Sequence, residues 1–122
     1  MRDPMPTDHD TVIAELKAEI QSFCEARDWD QFHGAKDLSI AIATEASELL
    51  ELFRFARPED VEEQLDQGRA EIHDELADVL IFVLRFAQRF DFDLAQAVRA
   101  KLAVNERRYP VEVARGSNRK AP

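Results

Sequence analysis

The chain has 122 residues, a formal net charge of −9 and one cysteine. Its length predicts a single domain spanning residues 1–122, with flexible termini at about 1–7 and 116–122. The lone cysteine excludes an internal disulfide, and the acidic balance argues against a nucleic-acid polymer as partner, because phosphate backbones bind clustered cations. No apolar run approaches the length of a membrane span, and the polar N-terminus has no signal-peptide core. We therefore expect a cytoplasmic protein with no membrane partner.

Long stretches of helix-forming residues, few glycines and no alternating strand pattern predict an all-α fold. Four main helices are expected, at about residues 8–27, 35–55, 69–90 and 93–108. Thr7 or Asp8 would cap the first helix, and Asp93 with Gln96 would open the fourth as a capping box before Pro110 stops it. Residues 59–67 are expected to form a loop or a short turn of helix.

The third predicted helix is apolar over more than one face. Between residues 76 and 87 its only charged side chains are Asp78 and Arg85. A chain of this size offers three partner helices at most, so it can hardly cover such a helix alone. This pattern favours oligomerisation through the apolar helices.

Two pairs of acidic residues stand out because of their apolar neighbours. Glu45 with Glu48, and Glu75 with Asp78, are each three residues apart, so each pair lies on one helical face. The spacing alone recurs on faces expected to be solvated, since the chain has 25 acidic residues. A carboxylate within a buried stripe must be protonated, paired or bound to a cation. Four oxygen ligands of this kind suit Mg²⁺, with Mn²⁺ as a second possibility.

A di-iron carboxylate bundle is the rival interpretation of acidic residues on helices. That site needs a glutamate three residues before a histidine on two helices, and neither His33 nor His73 has one. We expect His73 to be a surface residue. The all-oxygen interpretation is therefore favoured.

Several segments, in order along about residues 23–120, resemble the MazG-like all-α nucleoside triphosphate pyrophosphohydrolases, and within them the dCTP pyrophosphatase branch. They are Trp29-Asp30-Gln31-Phe32-His33, Glu45-Ala46-Ser47-Glu48, Glu75-Leu76-Ala77-Asp78, Lys101 with Asn105, and Arg107-Arg108-Tyr109-Pro110. Each motif is weak alone, and the combination is specific. The resemblance implies a four-helix MazG-like bundle that assembles as a tetramer, a dimer of dimers.

The resemblance also implies hydrolysis of a nucleoside triphosphate between its α and β phosphates, with Mg²⁺ as the cofactor. Carried onto this chain, the metal ligands are Glu45, Glu48, Glu75 and Asp78. Glu48 is the first choice for the carboxylate that takes a proton from the attacking water, although metal could occupy all four carboxylates.

The substrate-binding residues implied by the resemblance fall into aromatic and polar groups. They are Trp29, Phe32, His33, Lys36, Phe55, Phe82, Lys101, Asn105 and Arg108. Trp29 and Phe32 could instead form an aromatic plug between the first two helices, and the polar residues could be ordinary surface residues.

The chain departs from the dCTP-specific relatives at four positions. Phe55 and Phe82 stand where those relatives have a tryptophan and a tyrosine, Ile20 replaces a histidine, and Ala103 replaces an aspartate. The metal ligands are unaffected, but selectivity for cytosine is left open. A substrate such as dCTP or a modified pyrimidine analogue is expected. The alternatives are a sister enzyme acting on dUTP or phosphoribosyl-ATP, and a non-catalytic helical oligomer that binds nucleotides or a partner protein.

Overall fold

A computed structural model describes residues 4–122 of the chain, and all regular elements in this range are helical. The prediction of an all-α fold is therefore confirmed. The α-helices are α1 (Ile13–Ala26), α2 (Ala35–Glu51), α3 (Val61–Gln67), α4 (Arg69–Phe90), α5 (Leu94–Arg108) and α6 (Val111–Ala114). Two short 3₁₀ helices lie at Asp30–Phe32 and Pro58–Asp60. No helix within residues 4–122 is long and apolar enough to cross a membrane, and the cytoplasmic location stays a prediction.

The chain divides into two compact units, Met1–Asp91 and Phe92–Pro122, of which the first is described from residue 4 onward. In the first unit α4 packs most extensively against α2 and then against α1, with α3 alongside it. This makes α4 the central helix of the unit. The predicted single domain and flexible termini stay predictions, and residues 1–3 of the N-terminal segment lie outside the described range.

The first helix begins at Ile13, so its predicted start near Asp8 was wrong. Thr7 and Asp10 form a separate turn instead: the Asp10 carboxylate accepts a hydrogen bond from the Thr7 backbone N–H at 2.7 Å. The Asp10 N–H in turn donates to the Thr7 carbonyl at 3.2 Å. Short polar side chains compete with the helix for backbone partners in this way, so residues that resemble helix caps can close a turn upstream.

The second helix ends at Glu51, four residues before its predicted end at Phe55. Tight turns replace the helix there, with the Phe53 N–H donating to Leu50 and the Ala56 N–H donating to Phe53. The side-chain amide of Gln64 donates to the carbonyl of Leu52, one of the groups left free where the helix stops. As a result, Phe55 lies on a turn and not on the helix.

The buried core of the described residues is small. It consists of Cys24, Leu38, Leu84, Arg85 and Ala87. Leu84, Arg85 and Ala87 lie within about one turn of α4, Cys24 lies on α1 and Leu38 lies on α2. Large apolar side chains on the same helices, including Leu76 and Leu80, remain half exposed.

Helix α4 ends at Phe90 and is capped by Asp91, whose backbone is left-handed with φ of 59°. In the second unit, the Asp93 carboxylate accepts a hydrogen bond from the Gln96 N–H at 2.9 Å, which confirms Asp93 as the N-cap of α5. Helix α5 ends just before Pro110, as predicted. The Tyr109 hydroxyl then accepts a hydrogen bond from the Ala121 N–H at 3.0 Å, which connects the end of α5 to the C-terminal residues.

Candidate metal centre and substrate cavity

Three carboxylates from two packed helices converge in the first unit. Glu45 and Glu48 lie one turn apart on α2, and Glu75 lies on α4. One oxygen from each of the three lies within 4.8 Å of the other two. The packing of α2 on α4 therefore brings together residues that are about 30 positions apart in the sequence.

Burial and mutual repulsion raise the pKa of two of these carboxyl groups. The pKa of Glu45 rises to about 7, first because the group is desolvated, then through its hydrogen bond to Glu48, and then through the charges of Glu48, Asp78 and Glu75. The pKa of Glu75 is also raised, mainly by desolvation and by the charge of Glu48. The cluster thus holds more negative charge than its surroundings stabilise.

The cluster fits a hard divalent cation. Glu45 Oε2 and Glu75 Oε2 are buried and have no hydrogen-bond partner in the protein. Two such oxygens on adjacent carboxylates are energetically costly unless a proton or a cation satisfies them. A donor set made only of carboxylate oxygens is the one that Mg²⁺ and Mn²⁺ prefer. The three carboxylates can therefore hold a metal ion, whose identity the donor set alone does not fix.

Asp78, the fourth predicted ligand, lies one turn after Glu75 on α4. It is outside the group of three whose oxygens lie within 4.8 Å of one another. Its charge nevertheless raises the pKa of both Glu45 and Glu75, and its side chain lines the adjacent cavity. Asp78 therefore lies near the carboxylate cluster and also lines the cavity.

The cavity has a volume of about 400 Å³, and its wall is mainly apolar and aromatic. It is formed by α1, by α4 and by the 3₁₀ segment, which is the short helix Asp30–Phe32 with its flanking residues Trp29 and His33. Its lining residues are Glu19, Ile20, Phe23, Cys24, Trp29, His33, Asp78, Ile81, Phe82 and Arg85. This volume lies within the range of pockets that hold small molecules and cofactors.

Three aromatic rings meet edge to face along one wall of the cavity. The Trp29 ring lies 5.7 Å from Phe23 and 6.1 Å from His33, measured between centroids. Trp29 keeps 40% of its surface exposed, which leaves the ring accessible to a ligand. A flat aromatic molecule can stack on such a ring whatever its pattern of hydrogen-bonding groups.

A buried arginine holds the histidine of this wall. Arg85 is 1% exposed, and its Nε donates a hydrogen bond to His33 Nδ1 at 2.9 Å. Its Nη1 donates to Gln88 at 2.5 Å, and its Nη2 pairs with the Asp30 carboxylate. Burial and the Arg85 charge lower the pKa of His33, while the Arg85 hydrogen bond holds the pKa of Asp30 below its usual value.

The remaining predicted substrate residues of the first unit lie outside the cavity wall. Phe32 follows Trp29 on the 3₁₀ segment but is largely exposed, and Lys36 is exposed in the first turn of α2. Phe55 is 81% exposed beyond the end of α2, with the Arg54 guanidinium 4.8 Å from its ring. Of the predicted substrate-binding residues in this unit, Trp29, His33 and Phe82 line the cavity.

The other three predicted residues share one face of α5 in the second unit. Lys101, Asn105 and Arg108 are spaced four and three residues apart, so they follow one another along the helix. Lys101 and Arg108 are exposed, and the Arg108 guanidinium lies 5.6 Å from the Tyr109 ring. This face presents two cations and one amide to solvent.

Glu19, Phe23 and Arg85 are cavity residues that the sequence interpretation did not assign to the site. Glu19 and Phe23 are four residues apart on α1, so the apolar stripe of that helix was a signal for Phe23. Arg85 was noticeable as a charge in the most apolar stretch. Its partners His33 and Asp30, however, are 52 and 55 residues away in the sequence, and no local pattern indicates them.

These features define a class of protein: an all-α unit that places a carboxylate cluster beside an aromatic cavity. The model of the MazG-like family matches residues 40–121. The chain belongs to the MazG-like family, as its motifs predicted.

The chain is also similar to individual members and to a solved structure. It is 41% identical over 119 residues to dCTP pyrophosphatase 1 of Homo sapiens, an alignment that covers 96% of this chain and 67% of that protein. It is 42% identical over 107 residues to dCTP pyrophosphatase 1 of Bos taurus, covering 86% of this chain and 62% of that protein. The chain thus spans about two thirds of the length of these relatives. A crystal structure of a pyrophosphatase from Archaeoglobus fulgidus superposes with a TM-score of 0.77 at 34% identity, covering 89% of this chain and 99% of the other.

Proposed function

We propose that this protein is a Mg²⁺-dependent pyrophosphohydrolase that cleaves a deoxynucleoside triphosphate between its α and β phosphates. Its products would be the monophosphate and pyrophosphate. The observation that carries the proposal is the carboxylate cluster next to the aromatic cavity, with two buried oxygens that lack a partner. The relatives named dCTP pyrophosphatase 1 support dCTP, or a modified pyrimidine analogue, as the substrate. Cleansing of the nucleotide pool is the role that this activity would serve.

Glu45, Glu48, Glu75 and Asp78 are the proposed metal ligands. A divalent cation bound there would neutralise phosphate charge and acidify water. Without it, an acidic cluster would repel a triphosphate. Glu48 is the best candidate for accepting a proton from water, because it is exposed while Glu45 and Glu75 each hold one oxygen buried.

The protein side chains have separate tasks in this proposal. Trp29 offers its exposed face to the base, with Phe82 on the opposite helix of the cavity and His33 as a hydrogen-bonding group. Lys101, Asn105 and Arg108 are proposed to contact phosphate oxygens, as cations or amide donors. Lys36, Phe32 and Phe55 are exposed and free to engage substrate outside the cavity.

A homo-oligomer, a tetramer built as a dimer of dimers, is the proposed assembly. It is supported by Leu76 and Leu80, which lie one turn apart on the central helix and are each half exposed. Such a stripe of large apolar side chains is typical of a surface that another subunit covers. Sedimentation velocity would test this: wild-type protein should sediment as a tetramer, and a Leu76→Ser/Leu80→Ser variant should sediment as a smaller species. A wild-type monomer would contradict it.

The activity can be tested by incubating the protein with dCTP and Mg²⁺ and following the products by phosphorus NMR. We expect dCMP and pyrophosphate, and no reaction with EDTA. Glu48→Gln and Asp78→Asn should lose turnover while their assembly persists. Glu51→Gln is the matched control, because it removes the same charge from an exposed position at the end of α2. Full activity of Asp78→Asn would contradict the metal-site assignment.

The same assay separates the alternatives. Cleavage of dUTP or phosphoribosyl-ATP in preference to dCTP would assign the chain to a sister activity. If no triphosphate in the panel yields pyrophosphate, the non-catalytic nucleotide-binding oligomer would be the better interpretation.

A further inference from the structure

Arg85 is the buried charge of the described residues, and its partners are unusual for a residue that only stabilises the fold. Its guanidinium contacts Asp30, Gln88 and the ring of His33. A buried guanidinium needs several acceptors to offset the loss of water. A carboxylate and an amide oxygen are common acceptors for this purpose. The third acceptor is a ring nitrogen of His33, which places Arg85 in contact with a residue that lines the cavity.

The donor chemistry of arginine determines where the His33 proton lies. The guanidinium has five N–H donors and no acceptor. Since Arg85 Nε lies 2.9 Å from His33 Nδ1, that nitrogen must present its lone pair. A neutral imidazole carries one proton, so the proton is on Nε2. Nε2 is then the only polar atom that the ring has left, and it is a donor.

Asp30 and the 3₁₀ helix hold this arrangement in place. The Asp30 carboxylate binds Nη2 of Arg85, and its other oxygen lies 3.7 Å from Arg89 Nη1. Asp30 opens the short helix that leads directly to His33. Arg85 therefore contacts both ends of the segment between the carboxylate and the imidazole, which restricts rotation of the ring.

Arg89 shows what a purely structural contact to the same segment is like. Its Nε lies 3.5 Å from the His33 carbonyl and its Nη2 lies 3.4 Å from the Asp30 carbonyl, and no hydrogen bond joins it to the imidazole ring. Arg89 is also absent from the cavity wall. The two arginines, one turn apart on α4, thus share the Asp30 carboxylate as a partner, but of the two only Arg85 contacts the ring.

We infer that Arg85 is a positioning residue that holds His33 as the Nε2–H tautomer, so that His33 can only donate a hydrogen bond to a molecule in the cavity. This inference rests on the proposed function in treating that molecule as the base or sugar of a nucleotide. A donor-only imidazole favours an acceptor atom on the ligand, such as a carbonyl oxygen or an unprotonated ring nitrogen. It disfavours an N–H or amino group at the same place, because two donors would face each other.

The first test is made on the free protein and does not depend on activity. Nitrogen-15 NMR of histidine-labelled protein at neutral pH should show His33 with one unprotonated nitrogen, Nδ1, and one protonated nitrogen, Nε2. His9 and His73 are exposed and provide internal references. A protonated Nδ1, or an averaged pair of signals at His33, would overturn the inference. A protein that cleaves no triphosphate but shows this signature would refute the proposed function alone.

The second test compares Arg85→Met with Arg89→Met. Arg85→Met should merge the two separated nitrogen signals of His33 and raise KM for the triphosphate about tenfold, the effect of one lost hydrogen bond, with a smaller change in kcat. Arg89→Met should leave both the signals and KM near wild type. Unchanged His33 signals in Arg85→Met would overturn the role of Arg85. If that variant does not fold, the wild-type spectrum still decides which nitrogen carries the proton.

Discussion

The affinity of the carboxylate cluster for Mg²⁺ should depend on pH near neutrality, because metal binding must displace a proton from Glu45. The pKa of Glu45 is raised to about 7, so the carboxyl is half protonated at neutral pH in the metal-free protein. Only the ionised form is a ligand. The ionised fraction rises from about one tenth at pH 6 to about nine tenths at pH 8, so the Kd for Mg²⁺ should fall about tenfold, or about 1.4 kcal/mol.

Isothermal titration calorimetry in buffers of different ionisation enthalpy measures this directly. We expect release of about half a proton per bound ion at pH 7, and less at higher pH. In Glu45→Gln the pH dependence should be largely lost along with part of the affinity. Glu51→Gln should keep the wild-type profile, since Glu51 is exposed and paired with Arg54. An Mg²⁺ affinity that is equal at pH 6 and pH 8, with no proton released, would contradict the binding of the ion by the Glu45 carboxylate.

Three further predictions concern stability. The pKa of Glu45 is raised above its ordinary value of 4.5, so its contribution to the stability of the metal-free protein is complete below pH 4.5 and is lost as pH rises through about 7. Thermal melts should therefore show a Tm that falls as pH rises, and Glu45→Gln should reduce this fall in Tm. Asp30→Asn should lower the free energy of unfolding more than Arg85→Met does. The first variant leaves a fully buried guanidinium short of negative charge, whereas Asp30 is 39% exposed and can be hydrated when Arg85 is removed. Urea titrations that give the opposite order would contradict this prediction. Asp91→Gly should raise the free energy of unfolding by about 1 kcal/mol, because glycine adopts the left-handed conformation that ends α4 without strain, and Asp91→Ala should not.

The elements whose residues follow a local rule were predictable from the sequence. The N-cap at Asp93 and the stop before Pro110 each depend on a few neighbouring residues, and both are found in the structure. The start of α1 was not predictable by the same rule, because Thr7 and Asp10 satisfy each other's backbone groups in a turn. Capping residues indicate that a segment changes conformation, and they do not determine whether a helix or a turn follows.

The candidate site shows the same division. The i, i+3 spacing placed Glu45 and Glu48 on one face, and the structure brings them together with Glu75. The spacing could not show that Asp78 lies nearer the cavity, since that depends on how α4 is rotated against α2. Arg85 was missed as a site residue because its role comes from contacts across more than 50 residues of sequence.

The small core should make the measured activity depend on protein concentration. In the proposed oligomer, a chain with few fully buried side chains and a half-exposed apolar stripe on its central helix would gain much of its stability from mass action between subunits. Its specific activity should then fall when the protein is diluted below the dissociation constant of the assembly, and should recover on concentration. Variants compared at unequal concentrations would differ for a reason unrelated to the substituted residue.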